Sequence, residues 1–76
     1  MFYQIAVVKN EVVAILLKNE SGFDIVQDVV SGTEERVLDA VIDYCFAIGK
    51  KLPVRINGEM KTWRGPKTLK TLVGTL

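Results

Sequence analysis

The run Val12–Leu17, VVAILL, places six apolar residues in succession with no polar residue among them. A strand of an antiparallel sheet with one wet face alternates apolar and polar side chains, and this run does not alternate. We therefore expect a central strand that is covered on both faces. The chain has one long predicted helix, which can cover one of those faces. The C-terminal segment or a second copy of the chain must then cover the other face.

That helix is predicted over residues 33–49. Ser31 or Thr33 can act as its N-cap, and Ser31 with Glu34 three residues later fits a capping box. Gly49 can adopt the left-handed conformation that commonly ends a helix. The apolar stripe of the helix, at 3.6-residue spacing, consists of Val37, Leu38, Val41, Ile42, Cys45 and Ile48.

Phe46 lies outside the centre of this stripe. Two interpretations of its side chain stay open, namely packing at the edge of the stripe and contact with a partner. Cys45 lies within the stripe and is interpreted as a small core residue in the reduced state, as is usual in the cytoplasm. The chain has no second cysteine and no histidine, which argues against a disulfide and against a zinc or haem site. We expect a cytoplasmic protein without a cofactor.

The segment before the helix predicts three antiparallel strands. Phe2–Val8 and Val12–Leu17 are joined by three polar residues that suit a tight turn, and Phe23–Val30 follows a second turn. The alternation of the third strand slips near Gln27, which predicts a β-bulge there. The N-terminal apolar run is too short, and has too many β-branched residues, for a signal peptide or a membrane span.

The segment after the helix predicts a fourth strand over Leu52–Ile56 and a fifth over Met60–Trp63, with Asn57-Gly58 between them as a hairpin signal. A two-residue turn places Lys61 on the same face as the apolar Val54. A three-residue loop instead pairs Ile56 with Met60 and Val54 with Thr62. We favour the longer loop, because it sends Arg55, Lys61 and Trp63 together to the other face.

These elements predict a single α+β domain over residues 1–76. A three-stranded antiparallel meander is followed by the main helix, packed on one face, and by a fourth strand or β-hairpin. Pro66 can open a short C-terminal helix through Leu72, since proline is tolerated at the first helical position. A domain of this size has a small core, which also favours self-association.

Catalysis has weak support in this sequence. The pairs Asp39/Asp43 and Asp24/Asp28 are interpreted as solvated surface charges, and there is no histidine to serve as a base. The order of elements is similar to the opening half of a ribonuclease H-like fold. Metal chemistry in that fold needs an acidic residue on the first strand, and this chain has none there. We therefore expect a protein that is not an enzyme.

Charge is distributed unevenly along the chain, although the formal net charge is only +1. Residues 1–49 contain three basic and eight acidic side chains, whereas residues 50–76 contain seven basic side chains and one acidic one. Basic side chains neutralise phosphates, and an exposed aromatic side chain can stack on a base. The candidate nucleic-acid contacts are Lys50, Lys51, Arg55, Lys61, Trp63, Arg64, Lys67 and Lys70.

Two hypotheses about function follow. The first is a small binding protein that contacts DNA or RNA through the basic C-terminal third, with Trp63 either in the core or stacked on a base. The second is a protein-interaction module or inhibitor, of the kind common among phage and mobile-element accessory proteins. It acts through an apolar sheet face and as a homodimer.

Overall fold

Five strands form one sheet with two helices on one side of it in the computed structural model, which describes residues 1–76. The sheet order is β3-β2-β1-β4-β5, in which β1 and β4 are parallel and the other neighbours antiparallel. The predicted α+β fold is confirmed. The elements are β1 (Phe2–Val8), β2 (Glu11–Glu20), β3 (Phe23–Gly32), α1 (Glu34–Ile48), β4 (Val54–Ile56), β5 (Glu59–Lys61) and α2 (Pro66–Val73).

Each of the three hairpins turns through two residues that both have positive φ, the geometry of a type I′ turn. Ser21-Gly22 and Asn57-Gly58 each place glycine at the second position, where a left-handed conformation is favoured. Lys9 and Asn10 adopt φ values of 51° and 67° without glycine. These tight turns fix the register of their strands, and β2 and β3 both extend further than their apolar runs predict.

The β4–β5 hairpin differs from the predicted one. Its turn has two residues, so Val54 pairs with Lys61 and Ile56 with Glu59, and the three-residue loop was wrong. Lys61 does share the face of Val54, but β5 is an edge strand and all of its residues are exposed. The lysine therefore reaches water, and the register that looked unfavourable from the sequence carries no burial cost.

The predicted bulge in β3 is confirmed. The pairing of β2 with β3 shifts between Leu16 and Leu17, so Leu16 faces Asp28 and Leu17 faces Val26, with Gln27 as the extra residue. One additional residue on the outer strand restores the alternation of faces after the slip. As a result, Val26 and Val29 point to the same side of the sheet.

Helix α1 has the predicted ends but not the predicted capping box. Thr33 is the N-cap, and its Oγ1 accepts a hydrogen bond from the Arg36 backbone N–H at 3.3 Å. Ser31 instead lies in β3, paired with Val13, so it does not cap the helix. Gly49 adopts φ 68° after the last turn, and its N–H donates to the Phe46 carbonyl, which ends the helix as expected.

Both helices pack on the same face of the sheet. The stripe of α1 and the residues Leu69 and Val73 of α2 join the sheet residues in one core cluster. The C-terminal segment thus adds to the layer that α1 already forms, and does not cover the opposite face. The buried core consists of Tyr3, Ile5, Ala14, Leu16, Val37, Leu38, Val41, Cys45, Leu52, Val54, Ile56, Trp63, Leu69 and Val73.

Candidate functional site

The side of the sheet that faces away from the helices is called the open face here, because no element of the chain covers it. Cross-strand partners share a face, so the strand register identifies its members. Most of them are apolar. The open face consists of Phe2, Gln4, Ala6, Val8, Glu11, Val13, Ile15, Leu17, Asn19, Asp24, Val26, Val29, Ser31, Arg55 and Met60.

Large apolar side chains on the open face meet solvent. Val8, Val26, Val29 and Met60 are each at least half exposed. Leu17 is the only member that is buried within the chain, and it is not part of the core cluster. Contiguous apolar surface of this kind is uncommon on a monomer and marks interaction sites.

Arg55 forms a polar cluster at one end of the open face. Its Nε donates to Gln4 Oε1 at 3.0 Å, and its Nη2 donates to the same oxygen. The guanidinium carbon lies 4.8 Å from the centre of the Phe2 ring, and Nη1 lies 3.7 Å from Asp24 Oδ2. Arg55 therefore has partners on β1 and β3, and it lies across the sheet from the helix side.

Lys61 lies apart from Arg55, on the β5 edge. Its Nζ lies 2.8 Å from Glu59 Oε2, two residues earlier on the same strand. The hydrogen bond and the charge of Lys61 hold the pKa of Glu59 below its usual value. Both residues are exposed, so the pair is a surface ion pair that contributes little to stability.

Trp63 is a core residue, which decides between the two interpretations of its side chain. It is 8% exposed, and its Nε1 donates to the Leu52 carbonyl at 2.8 Å. An indole held in this way cannot leave the core to stack on a base. Trp63 is accordingly removed from the candidate nucleic-acid contacts, because a small domain uses its only tryptophan to fill the core.

Phe46 is the most exposed aromatic side chain of the chain, at 88%. It does not pack at the edge of the α1 stripe. A hollow of about 360 Å³ lies beside it, between the C-terminal end of α1 and the segment that leads into α2. The hollow is lined by Ile42, Cys45, Phe46, Gly49, Lys50, Lys51, Trp63 and Pro66.

The remaining basic residues lie in two different parts of the helix side. Arg64 and Lys67 are exposed and adjoin Trp63 and Pro66, which line this hollow. Lys70 instead lines a separate groove between α1 and α2, together with Glu34, Glu35 and Asp39. Lys50 and Lys51 are therefore the basic residues that line the hollow together with Phe46.

No local pattern predicts the Arg55 cluster, because Gln4, Asp24 and Arg55 are distant in the chain and meet only through the sheet order. Phe46 was identifiable, since its helical position departs from the stripe, although its exposure was not. No group of three or more cysteine, histidine or carboxylate side chains lies close enough together to hold a metal ion. Neither helix has the length and apolar character needed to cross a bilayer.

Comparisons with protein-family models, with curated proteins and with solved structures found no match to this chain.

Proposed function

We propose that the protein is a non-enzymatic, cytoplasmic interaction module whose open face stacks on the open face of a second copy. The observation that carries this proposal is that the face is largely apolar and that both helices pack on the other side. The run from Val12 to Leu17 lacks polar residues because each of its sides then meets apolar surface. One side meets the helices, and the other meets the partner copy.

The size of the open face suits a small dimer. Strand spacings of about 4.8 Å and rises of about 3.3 Å per residue give roughly 400–500 Å² of projected area over β1, β2 and β3. Side-chain relief makes the accessible area larger than the projection. The face therefore approaches about 600 Å² per copy, the lower end of the range for stable complexes.

The polar cluster on the open face is compatible with a twofold axis. A symmetric dimer needs a surface that is complementary to itself. Arg55 and Asp24 on this surface are already paired, and its remaining charged side chain, Glu11, lies exposed at the turn end of β2. Arg55 also has Gln4 as an acceptor, so the charged groups of this cluster already have partners. Burial of an isolated charge, the main cost of covering such a face, is thereby reduced.

The test is the mass of the protein in solution across a concentration series, in low and in high salt. The monomer has a mass of 8.5 kDa, and we expect a species of twice that mass at micromolar concentrations. Apolar stacking predicts that the dimer persists in high salt, whereas attraction between the acidic and basic parts of the chain would be screened. A monomer at high micromolar concentration in both salts contradicts the proposal.

A second candidate function is nucleic-acid binding on the helix side, where Lys50 and Lys51 line a hollow together with the exposed Phe46 ring. Arg64 and Lys67 favour it as well, because both are exposed and each follows a residue that lines the hollow. This surface contains fewer of the candidate contact residues than the sequence predicted. Arg55 is engaged on the open face, Lys61 is paired on the sheet edge, Trp63 is buried, and Lys70 lies among carboxylates.

A matched pair of double variants tests the second candidate. Lys50→Ala/Lys51→Ala removes two charges beside the hollow, and Lys9→Ala/Lys18→Ala removes two from the first hairpin. Each loss of a phosphate contact lowers the slope of log affinity against log salt by about one. We expect the first variant to lose about two units of slope and the second to keep the parent's slope. Equal effects of the two variants, or no salt-sensitive binding by the parent, refute this function.

A further inference from the structure

The side chain of Phe46 is unusually exposed for a phenylalanine on an amphipathic helix. Burial of such a side chain stabilises a fold, and at 88% exposed Phe46 gains almost none of this stabilisation in the chain alone. Its helical neighbours on the outer side, Asp39 and Asp43, are polar, as solvent requires. The fold itself therefore makes no use of an aromatic ring at this position.

The hollow beside Phe46 has the size and the walls of a site for one planar ring. Its volume of about 360 Å³ lies at the small end of the range for ligand sites, roughly 300–1,000 Å³. Phe46 and Pro66 contribute apolar surface, and the buried Trp63 and Cys45 contribute the inner lining. A flat aromatic group that enters the hollow can contact the Phe46 ring.

The charge around the hollow selects an anionic ligand. Lys50 and Lys51 line it, and no carboxylate does. The neighbouring groove between α1 and α2 has the opposite character, since three carboxylates line it. A ligand that combines a planar ring with negative charge on either side therefore fits the hollow and is excluded from the groove. A nucleotide within a single strand has this combination.

We infer that this hollow receives an unpaired base of a single-stranded nucleic acid, which stacks on Phe46 while the flanking phosphates contact Lys50 and Lys51. The inference rests on the second proposed function and adds the strand type and the stacking residue to it. Bases inside a duplex are stacked on one another and do not present a ring face, so the site favours single strands over duplexes.

The test compares two labelled probes, a twelve-residue oligothymidylate and an abasic strand with the same backbone. Stacking on an aromatic side chain is worth about 1–3 kcal/mol per base, which corresponds to about a fivefold to 150-fold change in affinity. We expect Phe46→Ala to weaken oligothymidylate binding by a factor in that range and to leave binding of the abasic strand unchanged. Circular dichroism should show an intact fold, because the ring is exposed.

Phe23→Ala is the matched control. Phe23 is 73% exposed on β3 and does not line the hollow, so its loss should leave both affinities unchanged. Trp63 provides an independent readout, because it lines the hollow and is the only tryptophan. Its fluorescence should change when the oligothymidylate binds and stay constant with the abasic strand.

Two results would overturn the inference, and they are distinguishable. If Phe46→Ala binds oligothymidylate as the parent does while salt-sensitive binding persists, the hollow does not receive a base but the second proposed function stands. If the parent binds neither strand, both fail. A change of Trp63 fluorescence with an acidic peptide that contains tyrosine, and none with the oligothymidylate, would likewise assign the hollow to a protein partner and refute the nucleic-acid inference.

Discussion

Replacement of Trp63 by phenylalanine should destabilise the fold through two effects that the structure separates. The Leu52 carbonyl is buried with its residue at 1% exposure, and the Trp63 indole N–H is its donor. Phenylalanine has no donor, so the carbonyl is left buried without a partner, at a cost of about 1–3 kcal/mol. The smaller ring also leaves unfilled space in the core, which adds about 1 kcal/mol.

The total of about 2–4 kcal/mol is large for this chain. A domain of 76 residues is typically stable by roughly 4–11 kcal/mol. Urea unfolding followed by circular dichroism, at one fixed protein concentration, should show a lower midpoint with an unchanged slope. The control Phe46→Leu alters an exposed ring and should stay within about 0.5 kcal/mol of the parent. A Trp63→Phe variant that also stays within about 0.5 kcal/mol would falsify the assignment of Trp63 to the core.

Two further predictions concern pH and turn geometry. Burial, with smaller contributions from nearby ionisable groups, raises the pKa of Tyr3 to about 12. Between about pH 10 and 12 this phenol ionises only in the unfolded chain, so the free energy of unfolding should fall by roughly 2–3 kcal/mol over that range. Urea titrations at alkaline pH should show that Tyr3→Phe lacks this decrease. Lys9→Asn/Asn10→Gly gives the first hairpin the preferred residues for two positive φ values and should raise the urea midpoint by an amount equivalent to about 0.5–1 kcal/mol. An unchanged midpoint would show that the Lys9 conformation carries no strain.

The element order was predictable because local signals agree with the global fold. The stripe of α1, its end at Gly49 and the Asn57-Gly58 turn are each encoded within a few residues. The bulge at Gln27 was predictable for the same reason, since a slip in alternation is visible in the sequence itself. The Val12–Leu17 run predicted a strand covered on both faces. The helices cover one face, the C-terminal segment does not cover the other, and cover by a second copy stays a prediction.

The errors arose where the decisive contact is distant in the sequence. Lys61 was assigned to the wrong face because a buried environment was assumed for a strand that proves to be an edge. Arg55 was grouped with the other basic residues because nothing local shows that Gln4 and Asp24 meet it. The exposure of Phe46 was left open because periodicity places it off the centre of the apolar stripe but does not show whether another element covers that position.

The most direct test of the open-face dimer uses two variants of one strand that differ only in the side of the sheet they alter. Val29 is 54% exposed on the open face, and Ile25 is 41% exposed on the helix side of β3. Val29→Glu and Ile25→Glu add the same charge to the same edge strand, so a dimer formed through that edge would respond to both. Sedimentation equilibrium should give a monomer for Val29→Glu, and a dimer for Ile25→Glu and the parent. A Val29→Glu protein that stays folded and dimeric with the parent's affinity would contradict the account.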